Sequence, residues 1–229
     1  MPTMNDNKTV FASRSSQRQR KQAVRRLLQE HNPDAVVKWA AEERNPMRVL
    51  SSVLFDPDPL IRWRSIEALG YIAGAESVEN MEGVRSQIRK FLWSMNDESG
   101  GVCWNGPEAI GEILHNVPSL LDEYGAILPS FFVEEPFERG SLWAVGRVAA
   151  QRPDIFAGAI DDVVGSFKDP DPVIRGYSIM ALTALAQRDA LEKARLLFDD
   201  AAVLSIYDFE LGELRETSVG DLARAALGS

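Results

Sequence analysis

The chain has 229 residues, 45% hydrophobic and 26% charged, and its net charge is −9. This composition indicates a globular protein with a sizeable core, and the acidic balance argues against a body that wraps nucleic acid, because phosphate binding needs a basic surface. No apolar run approaches the ~20 residues that cross a bilayer, and the single cysteine, Cys103, excludes an intrachain disulfide and a cysteine-cluster metal site, so we expect a cytoplasmic protein.

The N-terminal segment is basic and predicts a helical hairpin. Residues 1–14 are expected to be disordered, and six basic residues without an acidic one lie between Arg14 and Arg26. A first helix over 16–30 would present them to solvent, and a second helix over 33–44 would begin at Pro33 behind an Asn32 cap. A second hypothesis is that this basic segment binds the acidic segment 97–112 within the same chain.

Internal repeats dominate the rest of the sequence. DPDPLIRWRSIEALGYIAG at 56–74 and DPDPVIRGYSIMALTALAQ at 169–187 share eleven identical positions in one register, 113 residues apart. Two weaker copies lie between them, at 102–114 and 141–150, at offsets of 41 and 35 residues. Such spacings are typical of a repeat built from two helices.

Each copy follows an apolar segment with helical periodicity, so the predicted unit is helix, turn, helix. The predicted repeats cover about 46–74, 81–115, 118–150 and 154–187, between an N-terminal cap at 16–44 and a C-terminal cap at 189–229. In the strong copies the Asp-Pro-Asp-Pro turn ends one helix and offers an aspartate to cap the next. In the C-terminal cap, the β-branched and aromatic residues around Gly212 predict a short β-hairpin between two helices.

The Asp-Pro-Asp-Pro turn, the Ile-Arg pair and the Ala-Leu pair resemble a HEAT-type repeat over residues 45–187. The resemblance, which extends to small bacterial HEAT-like proteins, implies an all-α fold: one domain, 15–229, forming a right-handed superhelix of about five helical hairpins. It also implies that Asp56 with Arg62, and Asp169 with Arg175, bridge successive repeats. Cys103 replaces the arginine in the second copy, and the third copy lacks the Asp-Pro-Asp-Pro turn, so the bridging is in doubt there.

Second helices line the concave side of such a stack, and residues at i, i+4 and i+8 share one helix face. The predicted binding residues of this groove are Trp63, Glu67, Tyr71, Trp104, Glu108, Glu112, Arg139, Trp143 and Arg147. Tryptophan and arginine dominate recognition surfaces. The competing interpretations are that the tryptophans pack in the core and that the glutamates and arginines join neighbouring repeats as ion pairs.

A turn of unusual composition precedes Trp104. Asp97 and Glu98 stand before Gly100 and Gly101. Together with Glu108 and Glu112 they would gather around a cation or a basic peptide group; alternatively the Gly-Gly backbone would bind an anion, or Asp97 would simply cap an elongated turn. His31 and His115 have no further ligand at metal-binding spacing, so no metal site and no cofactor are predicted. Acid-base chemistry by Glu108 and Glu112 is a minor alternative to simple solvent exposure.

The sequence therefore favours a non-catalytic interaction scaffold that binds a protein or peptide segment of basic or mixed charge. Nucleic acid and membrane partners are not expected. Two alternatives come from the resemblance alone. Some HEAT-like proteins are DNA glycosylases for alkylated bases, and a site of that kind would use Trp104, Glu108, Trp143 and Arg147. Other HEAT-like proteins are lyases that attach bilin chromophores. The net charge is the main objection to the glycosylase.

Overall fold

The computed structural model describes residues 16–96 and 103–228, which form a stack of paired helices with a small sheet before the last helix. The predicted tail at 1–14 and the loop residues Asp97 and Glu98 lie outside these described residues. The all-α solenoid predicted from the repeats, with its short β-hairpin near the C-terminus, is confirmed. None of the described helices combines the length and the apolar character needed to span a membrane.

The helices form an outer and an inner layer. The outer layer holds α1 (Gln17–Gln29), α3 (Pro46–Val53), α6 (Leu121–Tyr124), α8 (Ile160–Gly165) and α10 (Arg188–Leu191). Short 3₁₀ segments extend the last three, at Gly125–Phe131, Pro153–Ala159 and Glu192–Leu197. The inner layer holds α2 (Pro33–Glu42), α5 (Gly106–Asn116), α7 (Glu138–Val148), α9 (Pro172–Ala184) and α11 (Val219–Leu227).

One long helix, α4 (Pro59–Met95), belongs to both layers. Its first part is the inner helix of the first repeat, and its second part is the outer helix of the next. The two parts meet at Asn80, which has non-helical φ and ψ angles of −143° and 63°. The Asn80 side chain accepts a hydrogen bond from the backbone N–H of Gly83 at 3.0 Å, as a helix N-cap does.

Side-chain caps and prolines fix where the inner helices begin. Asn32, Asp58 and Asp171 accept hydrogen bonds of 2.9 to 3.0 Å from backbone N–H groups of the first turn of α2, α4 and α9. A proline follows each cap at the first helical position, where a missing N–H costs nothing. The start of each of these three helices is therefore set by local sequence.

The bridges between repeats differ from the predicted pairs. Arg62 donates to the backbone carbonyl of Asp56 at 2.7 Å, whereas the Asp56 carboxylate accepts from Arg25 of α1 at 2.7 and 3.2 Å. Arg175 likewise donates to the carbonyl of Asp169 and pairs its Nε with Asp200 at 2.7 Å. The side-chain pairs thus join the first strong repeat to the N-terminal cap and the second strong repeat to the C-terminal cap. Part of the basic face of α1 consequently contacts other residues of the chain instead of solvent.

The inner helices pack closely because they carry small residues where they cross. A Cβ added to Gly111 of α5 would lie 2.6 Å from the Cβ of Ala144 and 2.8 Å from its Cα in α7. Both distances are shorter than real contacts allow, so a side chain at this position forces the two helices apart. Gly74 in α4 differs, since a Cβ there would meet its nearest atom, the carbonyl oxygen of Asn116, at 3.5 Å.

We expect Gly111→Ala to lower the free energy of unfolding by about 2 kcal/mol, although alanine favours helices, because overpacking outweighs the gain in propensity. Gly74→Ala is the matched control and should raise the free energy by up to about 1 kcal/mol. Urea denaturation followed by circular dichroism measures both. Equal effects of the two substitutions would contradict the close approach of α5 and α7.

The sheet near the C-terminus is a two-stranded antiparallel hairpin, hereafter the C-terminal hairpin. Strand β1 (Val203–Asp208) pairs with β2 (Glu213–Ser218), with Val203 opposite Ser218 and Asp208 opposite Glu213. The loop closes through Gly212, whose positive φ of 64° suits glycine, and through the Asp208 side chain, which accepts from two loop N–H groups at 3.0 Å. An isolated two-stranded hairpin is only marginally stable, so it needs a surface to pack on.

Candidate functional site

The C-terminal hairpin lies on the inner face of the helix stack, which is formed by α4, α5, α7 and α9. Trp63 and Trp143, predicted to share this face, lie 4.9 Å apart between ring centroids. Tyr207 stacks on Trp63 at 5.7 Å, and Phe209 stacks on Trp143 at 6.1 Å. Alternate residues of the hairpin therefore cover the two tryptophans of the predicted groove.

A polar layer beneath the aromatic rings is also satisfied within the chain. The Tyr207 hydroxyl donates to Glu67 at 2.6 Å. Arg147 donates from Nε and Nη2 to the two oxygens of Glu112 at 2.7 and 3.2 Å, and its guanidinium lies 4.0 Å from the Phe209 ring centroid. Tyr71 is half-buried against the core. Five predicted groove residues, counting the two tryptophans, thus contact the hairpin or each other.

The tip of the hairpin reaches the first repeats. Arg64, a buried side chain, donates to the carbonyl of Gly212 at 2.8 Å and to the carbonyls of Leu28 and Gln29 at 2.9 Å. A Cβ on Gly212 would lie 1.9 Å from the imidazole of His31, so only glycine permits this approach. The sequence left open whether this face is open or covered; in the structure the chain's own C-terminal hairpin packs on it, which buries aromatic residues of an otherwise marginally stable hairpin.

Trp104, Glu108 and Arg139 lie elsewhere, around a second concavity of about 930 Å³. We call it the turn cleft; it lies between the turns at 54–57, 104–108, 135–140 and 169–174. Trp104 is not the helical equivalent of Trp63, because α5 begins only at Gly106. Pro107 is tolerated only in the first turn of a helix, so the helix starts late and Trp104 precedes it, with 69% of its surface exposed.

Glu108 forms part of the floor of the turn cleft. It keeps 6% of its surface exposed, and its Oε1 accepts from the Asn105 amide at 3.3 Å. In the part of the chain that the structure describes, its other oxygen, Oε2, is buried without a hydrogen-bond partner. Burial raises the pKa of Glu108 to about 7, against the lowering effects of backbone and Asn105 hydrogen bonds and of Arg62.

The wall of the cleft is acidic overall. It holds six acidic side chains and two arginines, at Asp56, Glu108, Glu135, Glu138, Asp169, Asp171, Arg62 and Arg139. Both arginines are engaged: Arg62 with the backbone carbonyls of its own turn, and Arg139 with the carboxylate of Asp171. The cleft therefore offers carboxylates and an exposed tryptophan to a ligand.

The structure divides the residues on which the glycosylase alternative depended. Trp104 and Glu108 belong to the turn cleft, while Trp143 and Arg147 lie under the C-terminal hairpin. The pair of acids is divided too, since Glu112 binds Arg147 while Glu108 faces the cleft. The thiol of Cys103 is buried, and burial raises its pKa to about 12 with a smaller contribution from Glu108, which leaves it a poor nucleophile.

Among residues 16–96 and 103–228, no group of three histidine, cysteine, aspartate or glutamate side chains is placed to hold a metal ion. His31 and His115 lie near helix ends; His31 Nε2 is 3.8 Å from Glu67, and His115 Nδ1 is 3.1 Å from the carbonyl of Arg147. Sequence reasoning missed the C-terminal hairpin as a partner of the inner face. The signal was present in the alternating Tyr207 and Phe209, which a lone hairpin would leave exposed.

No family model matches the chain. A protein of Archaeoglobus fulgidus described as uncharacterized is 26% identical over 186 residues, which cover 79% of this chain and 94% of that protein. An engineered protein of known structure is similar with a TM-score of 0.58 at 16% identity, covering 94% of this chain and 92% of its own.

Designed armadillo repeat proteins are similar as well. One, solved in complex with the peptide (KR)4, has a TM-score of 0.55 at 16% identity, with 93% of this chain and 97% of that chain covered. Another, described as computationally designed for modular peptide recognition, has a TM-score of 0.54 at 18% identity, with 93% and 94% covered. At these identities the likeness defines architecture, and the chain has the fold of a HEAT/armadillo-like repeat solenoid.

Proposed function

We propose that this chain is an interaction scaffold that binds a basic protein or peptide segment in the turn cleft. The observation that carries the proposal is the exposed Trp104 at the edge of an acid-rich cleft of about 930 Å³. A large exposed aromatic side chain beside a concave surface is typical of a recognition anchor. The inner face is a weaker candidate because the C-terminal hairpin already packs on it.

The chemistry of the cleft supports a mixed mode of binding. Phe55, 56% exposed, and Trp104 provide apolar contact area, and the prolines of the turns stiffen the wall. Acidic side chains outnumber arginines, so a segment containing lysine or arginine complements the charge. The (KR)4 complex of a designed armadillo protein supports the idea that this architecture accommodates an extended basic peptide.

The location and the two enzymatic alternatives that the sequence predicts stay proposals. The cytoplasm remains the proposed location, since the one cysteine of the chain is a free, buried thiol that suits a reducing compartment. The glycosylase and bilin lyase alternatives stay predictions, and no contact among the described residues favours either of them.

The test is a titration of a fluorescently labelled (Lys-Arg)4 octapeptide with the purified protein, followed by fluorescence anisotropy. We expect Trp104→Ala to weaken binding about tenfold, as removal of a recognition anchor does. The substitution leaves the net charge unchanged, so loss of binding would not reflect weaker non-specific attraction. Trp93→Ala is the matched control, because Trp93 is 73% exposed and lies outside the cleft.

Two results would overturn the proposal. Failure of the wild-type protein to bind the peptide at physiological salt would exclude basic segments as ligands. Equal binding by the wild-type protein and the Trp104→Ala variant would place the peptide somewhere other than the turn cleft.

A further inference from the structure

Two glutamates of α5, one helical turn apart, have different surroundings. Glu112 is buried and bound by both Arg147 and Asn116. Glu108 is nearly as buried, but in the described part of the chain the amide of Asn105 is the partner of Oε1, and Oε2 has none. Buried carboxylates are normally paired, because an unpaired one loses its hydration without compensation. Glu112 thus has a structural partner, whereas Glu108 lacks an equivalent one.

We propose that Glu108 is the receptor in the turn cleft for a primary ammonium group, of the kind carried by a lysine side chain. This inference rests on the proposed function of the same cleft. It specifies which basic side chain is recognised, and by which residue.

The position of the Glu108 carboxyl is fixed by the neighbouring helix. A Cβ on Gly140, in the first turn of α7, would lie 2.3 Å from Oε2 and 2.5 Å from Cδ of Glu108. The carboxyl group therefore packs directly on the backbone of α7, and any side chain at position 140 would displace it. A receptor group held in place by its neighbours loses little freedom when a ligand binds.

The shape of the site favours ammonium over guanidinium. Glu108 is recessed, with 6% of its surface exposed, and an unbranched stem can carry a compact ammonium to it. Guanidinium is a planar fork that pairs best with both oxygens of a carboxylate, as Arg147 does with Glu112. In Glu108 one oxygen, Oε1, already accepts from Asn105, so one oxygen is left without a partner among the described residues, which suits a single-point donor such as ammonium. Trp104 at the edge of the cleft offers an apolar surface to the methylene stem of a lysine.

The groups that face Glu108 come from three directions. Arg62 of α4 favours the ionised carboxylate, Asn105 donates to it, and the buried Cys103 and Tyr177 of α9 interact with its charge. Because burial raises the pKa of Glu108 to about 7, the group is partly protonated near neutral pH. An incoming ammonium needs the ionised form, so binding releases a proton to the buffer.

The experiment uses three probes with the full-length protein: n-butylamine, acetylated octalysine amide and the octaarginine equivalent. Isothermal titration calorimetry at pH 6.5, in two buffers of different ionisation enthalpy, gives affinity and proton release together. For Glu108→Gln we expect binding of octalysine to weaken about tenfold, with loss of proton release, and binding of octaarginine to change less than about twofold. Glu210→Gln removes the same charge from an exposed site outside the cleft, and it should affect both peptides equally.

The outcomes separate this inference from the proposed function. If wild-type protein binds the peptides and Glu108→Gln weakens both or neither, the ammonium receptor is wrong while the peptide scaffold stands. If neither peptide binds but n-butylamine binds and is lost in Glu108→Gln, the receptor stands and the peptide scaffold is wrong. If no probe binds wild-type protein, both are wrong.

Discussion

Replacing Arg147 with methionine should lower the free energy of unfolding by about 4 kcal/mol at pH 8, because it leaves a buried carboxylate without its counter-charge. Arg147 bonds both oxygens of Glu112, whose side chain is 3% exposed. Without it, Glu112 keeps the Asn116 amide at 2.9 Å. Methionine replaces the aliphatic stem of the arginine and removes only the guanidinium end, so the loss reports mainly on charge and its hydrogen bonds. Urea denaturation followed by circular dichroism measures it.

The pH dependence of the Arg147→Met variant identifies the cause of its instability. Burial raises the pKa of Glu112, and the Arg147 hydrogen bonds oppose that rise. Removing Arg147 therefore raises the pKa of Glu112 further. A carboxyl whose pKa is raised by folding destabilises the folded protein as pH increases, because it must ionise in a buried site. The difference in free energy of unfolding between wild type and Arg147→Met should therefore shrink as pH falls from 8 to 5. A deficit that stays constant over this range would show that packing against Phe209, and not charge, is responsible.

Arg152 provides the control for Arg147. It also contacts two carboxylates, those of Asp122 and Asp154, but all three side chains are exposed to a large extent. Exposed ion pairs contribute little, so we expect Arg152→Met to leave the free energy of unfolding almost unchanged. A large effect of Arg152→Met would contradict the expectation that the exposed ion pairs stabilise the protein much less than the buried Arg147–Glu112 pair.

The second large expected effect is a stabilisation of the folded protein by Glu108→Gln. With a folded-state pKa of about 7, raised by burial, Glu108 keeps its proton in the folded protein at pH values where the unfolded chain has released it. The contribution of Glu108 to the stability of the wild-type protein therefore falls as pH rises from about 4 to about 8, and glutamine does not titrate. Relative to wild type, Glu108→Gln should gain about 3 kcal/mol between pH 4 and pH 9.

Urea titrations at four or five pH values across this range test the Glu108 prediction. Glu210→Gln serves again as the control, because an exposed carboxyl should give a difference that stays within about 0.5 kcal/mol at every pH. A flat difference for Glu108→Gln would mean that the carboxyl is solvated or paired when the protein is folded.

The repeats were predictable from sequence because their determinants are local. The Asp-Pro-Asp-Pro turns at 56–59 and 169–172 stop one helix and cap the next with residues a few positions apart. Small residues such as Gly111 mark close helix crossings, since nothing else justifies their cost in helix propensity. Even the C-terminal hairpin could be anticipated from the β-branched residues around Gly212.

The candidate site was predictable only in part. The register predicts that Trp63, Glu67, Trp143 and Arg147 share the inner face, but a register cannot reveal what packs on that face. Glu67 and Tyr207 are joined across 140 positions of sequence, and no local pattern encodes that contact. Trp104 was misplaced for a local reason, because Pro107 delays the start of α5 relative to the first repeat.

The C-terminal hairpin changes how such a chain can be made. In an ordinary solenoid each repeat contacts its neighbours, so the array can fold progressively as it leaves the ribosome. Here the buried Arg64, in the first repeat, donates a hydrogen bond to the carbonyl of Gly212, 148 positions later. The inner face of the early repeats therefore stays uncovered, with its tryptophans exposed, until the C-terminal hairpin has been synthesised. Nascent chains of this protein therefore expose an aromatic surface that the C-terminal hairpin covers in the folded protein.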